Sequence, residues 1–156
     1  MKKHLAERYI PSSMKWKVVL KGVGKLYRAI YDELEKDDKG SSAKVLAEAA
    51  YKVGLDFGET LKEDFDLGNT IEDIAFAMEI DHKVFGVKAV VAERGEGKIV
   101  YHCHECAWKK YFKPKLCIAI GQAEKGIAHA LNPKAKYNVL QTRTMGKEHC
   151  IIAIET

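Results

Sequence analysis

The sequence has no apolar run approaching the roughly 20 residues a helix needs to cross a bilayer. Its opening, MKKHLAERYIPSS, is basic at the start but has no apolar stretch long enough for a signal peptide. Both absences predict a cytoplasmic protein with no membrane insertion, in a compartment where thiols stay reduced. No charge of one sign dominates either: the formal net charge is +4, with lysines and acids interleaved. A nucleic-acid protein usually concentrates its basic residues on one face, so no nucleic-acid partner is expected. Internal repeats, low-complexity segments and a convincing domain boundary are missing too. What is present is 156 residues, 47% hydrophobic and 31% charged. That suffices for one domain whose core needs no disulfide staples.

Helical periodicity dominates the first half. Ser12 and Ser13 can cap a helix whose apolar positions are Trp16, Val19, Leu20, Val23, Leu26, Tyr27, Ile30 and Leu34, one continuous stripe. Gly22 and Gly24 weaken it but permit close approach of another backbone. The surrounding KGVGK lacks the Walker spacing and follows no strand, so it does not read as a phosphate loop. DDKGSS, Asp37 to Ser42, is a polar stop with a fresh cap. A second helix then carries Val45, Leu46, Ala49, Ala50, Val53, Phe57 and Leu61. Asn69 or Thr70 caps a third, with Ile71, Ile74, Ala75 and Met78 on one side.

From Val84 the chain turns β-branched. VFGVKAVVAE and KIVYHCHE flank the turn RGEG and predict a hairpin. A short helical stretch is expected around Ala107 to Phe112, then a Lys-Pro break and a helix from about Leu116 to Leu131. KYNVLQTRT, the turn MGKEH and CIIAIE make a last hairpin. The pattern predicts an α+β fold: an antiparallel sheet from two β-hairpins, with helices packed mainly on one face. Residues 1–156 form a single domain in this reading.

Candidate chemistry concentrates in YHCHECAW, Tyr101 to Trp108. Cys103 and Cys106 form a Cys-x-x-Cys pair, a spacing that lets two sulfurs meet on one cation. Cys117 and Cys150 stand alone downstream. The four together would suit a zinc site or an iron–sulfur cluster. A subset joined by His102, His104, Glu105 or His149 would leave one coordination position open. With no cofactor, the same cysteines are simply buried hydrophobes. Ile99, Tyr101 and Cys103 share one strand face and Val100, His102 and His104 the other, so these histidines are poor bases for Cys103. Glu148 and His149 are better placed to assist Cys150, or are solvated turn residues. A thioredoxin-like pair would need a parallel βαβ unit, which the pattern lacks. Tyr51, Phe57 and Phe76 either face a cavity for a small, mostly apolar or aromatic ligand or fill the core.

The series Cys106-Ala-Trp, Leu116-Cys117, Leu131-Asn132-Pro133 and Gly146-x-x-x-Cys150 resembles the L-2-amino-thiazoline-4-carboxylic acid hydrolase-like family. That group looks related to the 4-vinyl reductase domain, a small-molecule-binding module of hydrocarbon- and phenol-sensing regulators. The likeness spans roughly residues 42–156, the family-like core, preceded by a helical segment over 1–40. It implies a 4-vinyl reductase domain-like α+β fold, an apolar pocket between helices and sheet, and often a homodimer. In the aromatic-sensing members it also implies zinc held by cysteines and a glutamate. Cys117 and Cys150 fall on two of those ligand positions, whereas Thr142 and Val139 stand where the sensors have a cysteine and, nearby, their glutamate. Glu124 matches a helical acid of the hydrolase-like group, and Ala107 replaces its usual proline.

Three functions are therefore open. The first is a small-molecule-binding domain with a metal ligated by Cys103, Cys106, Cys117 and Cys150, and with Tyr51, Phe57, Phe76 and Glu124 near the ligand. The second is hydrolysis of L-2-amino-thiazoline-4-carboxylate or a related ring, although no Ser-His-Asp or metal-hydrolase signature accompanies it. The third is a structural or adaptor role on the same fold. The apolar stripe of the first helix, which a small domain need not cover alone, adds the expectation of a homodimer.

Overall fold

A computed structural model describes residues 12–37 and 41–156. The opening segment, the 38–40 break and the side chains of Ser12, Ser13 and Asp37 lie outside the described residues. The signal-peptide reading, the serine cap and the centre of the DDKGSS stop fall there, and its last two serines begin the next helix.

Helix α1 spans Ser12–Asp37, α2 Ser41–Phe65 and α3 Ile71–Val84. Thr70 caps α3 through a reciprocal pair. Its hydroxyl accepts the Asp73 N–H at 3.2 Å, and the Asp73 carboxylate accepts the Thr70 N–H at 3.1 Å. The chain then forms strands β1 (Val87–Gly95) and β2 (Lys98–Cys106), joined at Gly97, whose φ of 71° suits a residue without a Cβ. After α4 (Pro114–Ile120) and α5 (Gln122–Leu131) come β3 (Lys136–Gln141), a 3-10 turn (Arg143–Met145) and β4 (Cys150–Glu155).

Two expectations are corrected. Ala107 to Phe112 makes consecutive turns rather than a helix, closed by Tyr111 N–H and Phe112 N–H on the Trp108 carbonyl at 2.8 and 3.1 Å. The single helix expected from Leu116 to Leu131 is two, divided at Gly121. The break lets α4 pack on Tyr31 and Leu46 while α5 turns toward the sheet.

The four strands are antiparallel in the order β1-β2-β4-β3, so the two hairpins join where β2 meets β4, with Cys103 directly opposite Cys150. One sheet face carries Ile99, Tyr101, Tyr137, Ile152 and Ile154 into a core shared with Ile74 and Met78 of α3 and Ile127 and Leu131 of α5.

Helices α2 and α5 meet through glycine. A methyl group at Gly54 would collide with the Ala123 carbonyl, and one at Gly126 with the Tyr51 carbonyl. At Gly58 it would lie 2.6 Å from the Ala130 Cβ. The expected close approach at Gly24 is instead to side chains, Trp108 and Tyr111, and Gly22 has nothing within 4 Å.

Helix α1 is fastened mainly by polar ties. Trp16 Nε1–H donates to the Val84 carbonyl at 2.7 Å and Trp108 Nε1–H to the Leu20 carbonyl at 2.9 Å. Leu20 and Tyr31 are buried, but Trp16, Val19, Leu26, Ile30 and Leu34 of the stripe are exposed.

Gly54→Ala is expected to cost about 1–3 kcal/mol by forcing two backbones apart. Gly22→Ala, in open helix, should instead gain about 0.5–1 kcal/mol. Urea melts of both variants check the contrast, and equal effects would count against the seam.

Candidate functional site

A cavity of about 290 Å³ lies between α2, the α4–α5 turn and the sheet. Its outer wall is aromatic. Trp108 sits with ring centroids 6.0 Å from Tyr27, 5.4 Å from Phe85 and 5.4 Å from Phe112. Leu46, Ala50, Ile120 and Val139 continue an apolar lining.

Polar groups line the cavity too. All four cysteines are free thiols and reach this one cavity. Burial pushes the Cys103 thiol well up. It pushes Cys117 up to about 11, against a lowering hydrogen bond from Thr144. Cys106 is raised in the same way, opposed by backbone N–H groups of Trp108 and Lys109. Cys150 Sγ accepts the Arg143 N–H at 3.3 Å. These three raised thiols are therefore protonated at neutral pH, whereas attack on an electrophile calls for thiolate. Among the described residues, the histidine, cysteine and carboxylate donors that lie within 4.8 Å of one another as a set of three belong to Asp81, His82 and Glu124. The cysteines share a space without gathering at one point. No three of the cysteine sulfurs form such a set among the described residues.

The acid wall is built from helix ends. Asp81 and His82 close α3, and Glu124 lies in the first turn of α5. Burial, and then the charge of Glu124, pushes the Asp81 carboxyl well above the usual carboxylate range. Tyr137 donates its hydroxyl to Glu124 Oε2 at 2.7 Å. No lysine or arginine is among the residues lining the cavity.

Glu124 thus lies in the cavity wall, and the other three expected ligand contacts do not. Tyr51 is bonded through its hydroxyl to His129 Nδ1 at 2.9 Å. Phe57 packs against the main core, and Phe76 is 40% exposed, edge-on to Phe65. The α2 residues that do line the cavity are Leu46, Ala49, Ala50 and Val53, one helical stripe offset from Tyr51 and Phe57. His102 and His149 stack 4.4 Å apart, with His104 beside them. None of the three lines the cavity. Glu148 is exposed.

Sequence reasoning missed Asp81, His82 and Tyr137. The signal was present, because Asp81 and His82 continue the Ile74–Met78 stripe at helical spacing and so had to be buried.

No family model and no curated protein sequence matches this chain. Among solved structures, it is similar to a trafficking protein particle complex subunit 3 from Naegleria fowleri, covalently bound to palmitic acid. That match has a TM-score of 0.71 at 14% identity, over 89% of this chain and 95% of the other. It is also similar to the phenol-responsive sensory domain of the transcription activator PoxR, solved with phenol, at TM-score 0.61 and 14% identity, over 87% and 73%. At this identity the likeness is one of fold. It is a small α+β fold, and the two similar structures were solved with palmitic acid and with phenol.

Cys117 should alkylate slowly at pH 8, where an ordinary thiol near pKa 8.5 is already substantially ionised. Its rate should keep rising about tenfold per pH unit to pH 10, as read by mass spectrometry after iodoacetamide pulses. A plateau by pH 9 would contradict the raised value. Because the folded state holds this proton more tightly than the unfolded chain, the stability it supplies is complete below pH 8.5. That stability drains away as pH climbs toward about 11.

Proposed function

We propose that this chain is a cytoplasmic small-molecule-binding domain of the 4-vinyl reductase type, whose ligand is small, mostly apolar and uncharged at its polar end. One observation carries the reading: a largely apolar cavity lined by aromatic rings and by Asp81, Glu124 and Tyr137. At about 290 Å³ it sits near the lower end of the roughly 300–1,000 Å³ typical of small-molecule sites. The palmitic acid and phenol of the two similar structures support apolar cargo. The wall chemistry narrows it further. A ligand hydroxyl or amine can donate to the carboxyl groups, whereas a carboxylate meets an acid and no cation. The residue likeness after Ile99 supports the family, and the geometry favours its binding members over its hydrolases. Thiazoline carboxylate would bring its charge to the wrong wall, and Cys103, Cys106 and Cys117 are held as thiols.

Thermal-shift measurements in metal-free buffer test the reading with phenols, long-chain alcohols and fatty-acid esters, each beside its carboxylate counterpart. A ligand at 100 times its Kd should stabilise by about 2.7 kcal/mol. That corresponds to roughly 5–10 °C for a chain of this size. Carboxylates should give little. Equal shifts from the acids would remove the proposed specificity, and silence across the panel would favour an adaptor role.

We also propose that the exposed stripe of α1 is a homodimer face. Val19, Leu26 and Ile30 repeat at helical spacing on a helix held to the body by few buried contacts. A stable interface would bury about 1,200–2,000 Å² in total. Light scattering should report a dimer that Leu26→Glu converts to monomer. A monomer mass for the unaltered chain at high micromolar concentration would overturn the proposal.

A further inference from the structure

His82 is buried behind the cavity wall, next in sequence to Asp81, which lines it. It is 4% exposed, and its Nε2 is buried without a hydrogen-bond partner. Glu124 Oε1 lies nearest on the acid side, at 3.8 Å, too far for a hydrogen bond. A buried, unpaired ring nitrogen is costly to desolvate, so a partner at that position would be stabilising. Beside it stand two carboxyl groups, one of them, Asp81, equally buried. One oxygen from each carboxyl group and a His82 ring nitrogen lie within 4.8 Å of one another.

We propose that Asp81, His82 and Glu124 bind a divalent transition-metal ion of the zinc class. Each donor is of the right type, since imidazole nitrogen and carboxylate oxygen both bind zinc at about 2.0–2.2 Å. At those bond lengths tetrahedral ligand atoms stand roughly 3.4 Å apart. The 3.8 Å between His82 and Glu124 thus needs only a small contraction. Two carboxylates balance the ion's charge, so the site becomes neutral where it is now a buried concentration of acid. The Tyr137 hydroxyl on Glu124 Oε2 is the kind of supporting contact that orients a metal-binding carboxylate. Calcium is disfavoured, because it takes 6–8 oxygens and this wall offers an imidazole. Asp81 and Glu124 both border the cavity, so the coordination the protein leaves free is open to that space.

The site shares Asp81 and Glu124 with the polar lining of the cavity, and it differs from the cysteine set expected from the sequence. The test uses the full chain, stripped with chelator and titrated with Zn²⁺ by calorimetry and with Co²⁺ by absorption. The expected result is one ion per chain and a cobalt spectrum with d–d bands but no thiolate charge-transfer band. Glu124→Gln keeps the shape and the acceptor for Tyr137, yet should weaken Zn²⁺ at least about 100-fold. Supporting contacts alone are worth roughly 10–100-fold, and Tyr137→Phe should fall in that range. His82→Ala should abolish binding, and Glu124→Gln decides the matter if that variant does not fold. Cys117→Ser and Cys150→Ser should bind as before. Absence of binding, an unchanged affinity in Glu124→Gln, or a charge-transfer band lost in the cysteine variants would overturn the assignment.

Discussion

The contact of α2 with α5 sets the positions of everything else. Gly54, Gly58 and Gly126 let the two backbones meet with no side chain larger than the Ala130 methyl group at these positions, so their spacing is fixed by carbonyl, Cα and Cβ atoms rather than by flexible groups. That rigid seam places Ile127 and Leu131 in the sheet-facing core and holds Glu124 at one defined height above β3. It also leaves the neighbouring stripe of α2, Leu46 and Ala50, turned toward the cavity. A larger residue in the seam would shift the acid wall relative to the sheet, although no cavity atom had been changed.

The cavity follows from the same constraint. With α5 locked to α2, the chain bends at Gly121 to bring α4 against Leu46 and Tyr31, and the space left inside the bend is not filled by side chains. Its lining is mixed in character. Rings of Tyr27, Phe85, Trp108 and Phe112 supply apolar surface. Among them titratable groups are desolvated together, which raises the energetic stakes of every unpaired atom there.

Much of the fold was legible because it rests on period alone. The two hairpins, the Thr70 cap and the apolar faces of α3 and β2 all follow from residue spacing. The break at Gly121 was not legible, since a glycine inside an apolar helical pattern is tolerated as often as it ends a helix. For the site, attention to thiols found residues that do border the cavity but overlooked Asp81 and His82. A charged pair in a helix is ordinarily assigned to solvent. Here the stripe it continues, running from Ile74 through Met78, is the better guide. Tyr51 and Phe57 were misplaced by one helical face, a difference that depends on where α5 docks and so on the glycine seam.

Trp108 belongs to two parts of the molecule at once. Its ring borders the cavity, and its indole N–H holds the Leu20 carbonyl of α1. The other of the chain's 2 tryptophans, Trp16, is 43% exposed and bonded to the Val84 carbonyl. Intrinsic fluorescence therefore carries both the occupancy of the cavity and the docking of α1. A ligand that changes the emission colour of Trp108 while Trp16 stays constant has entered without loosening the helix. A red shift of both reports that α1 has lifted, and that the cavity has lost one wall.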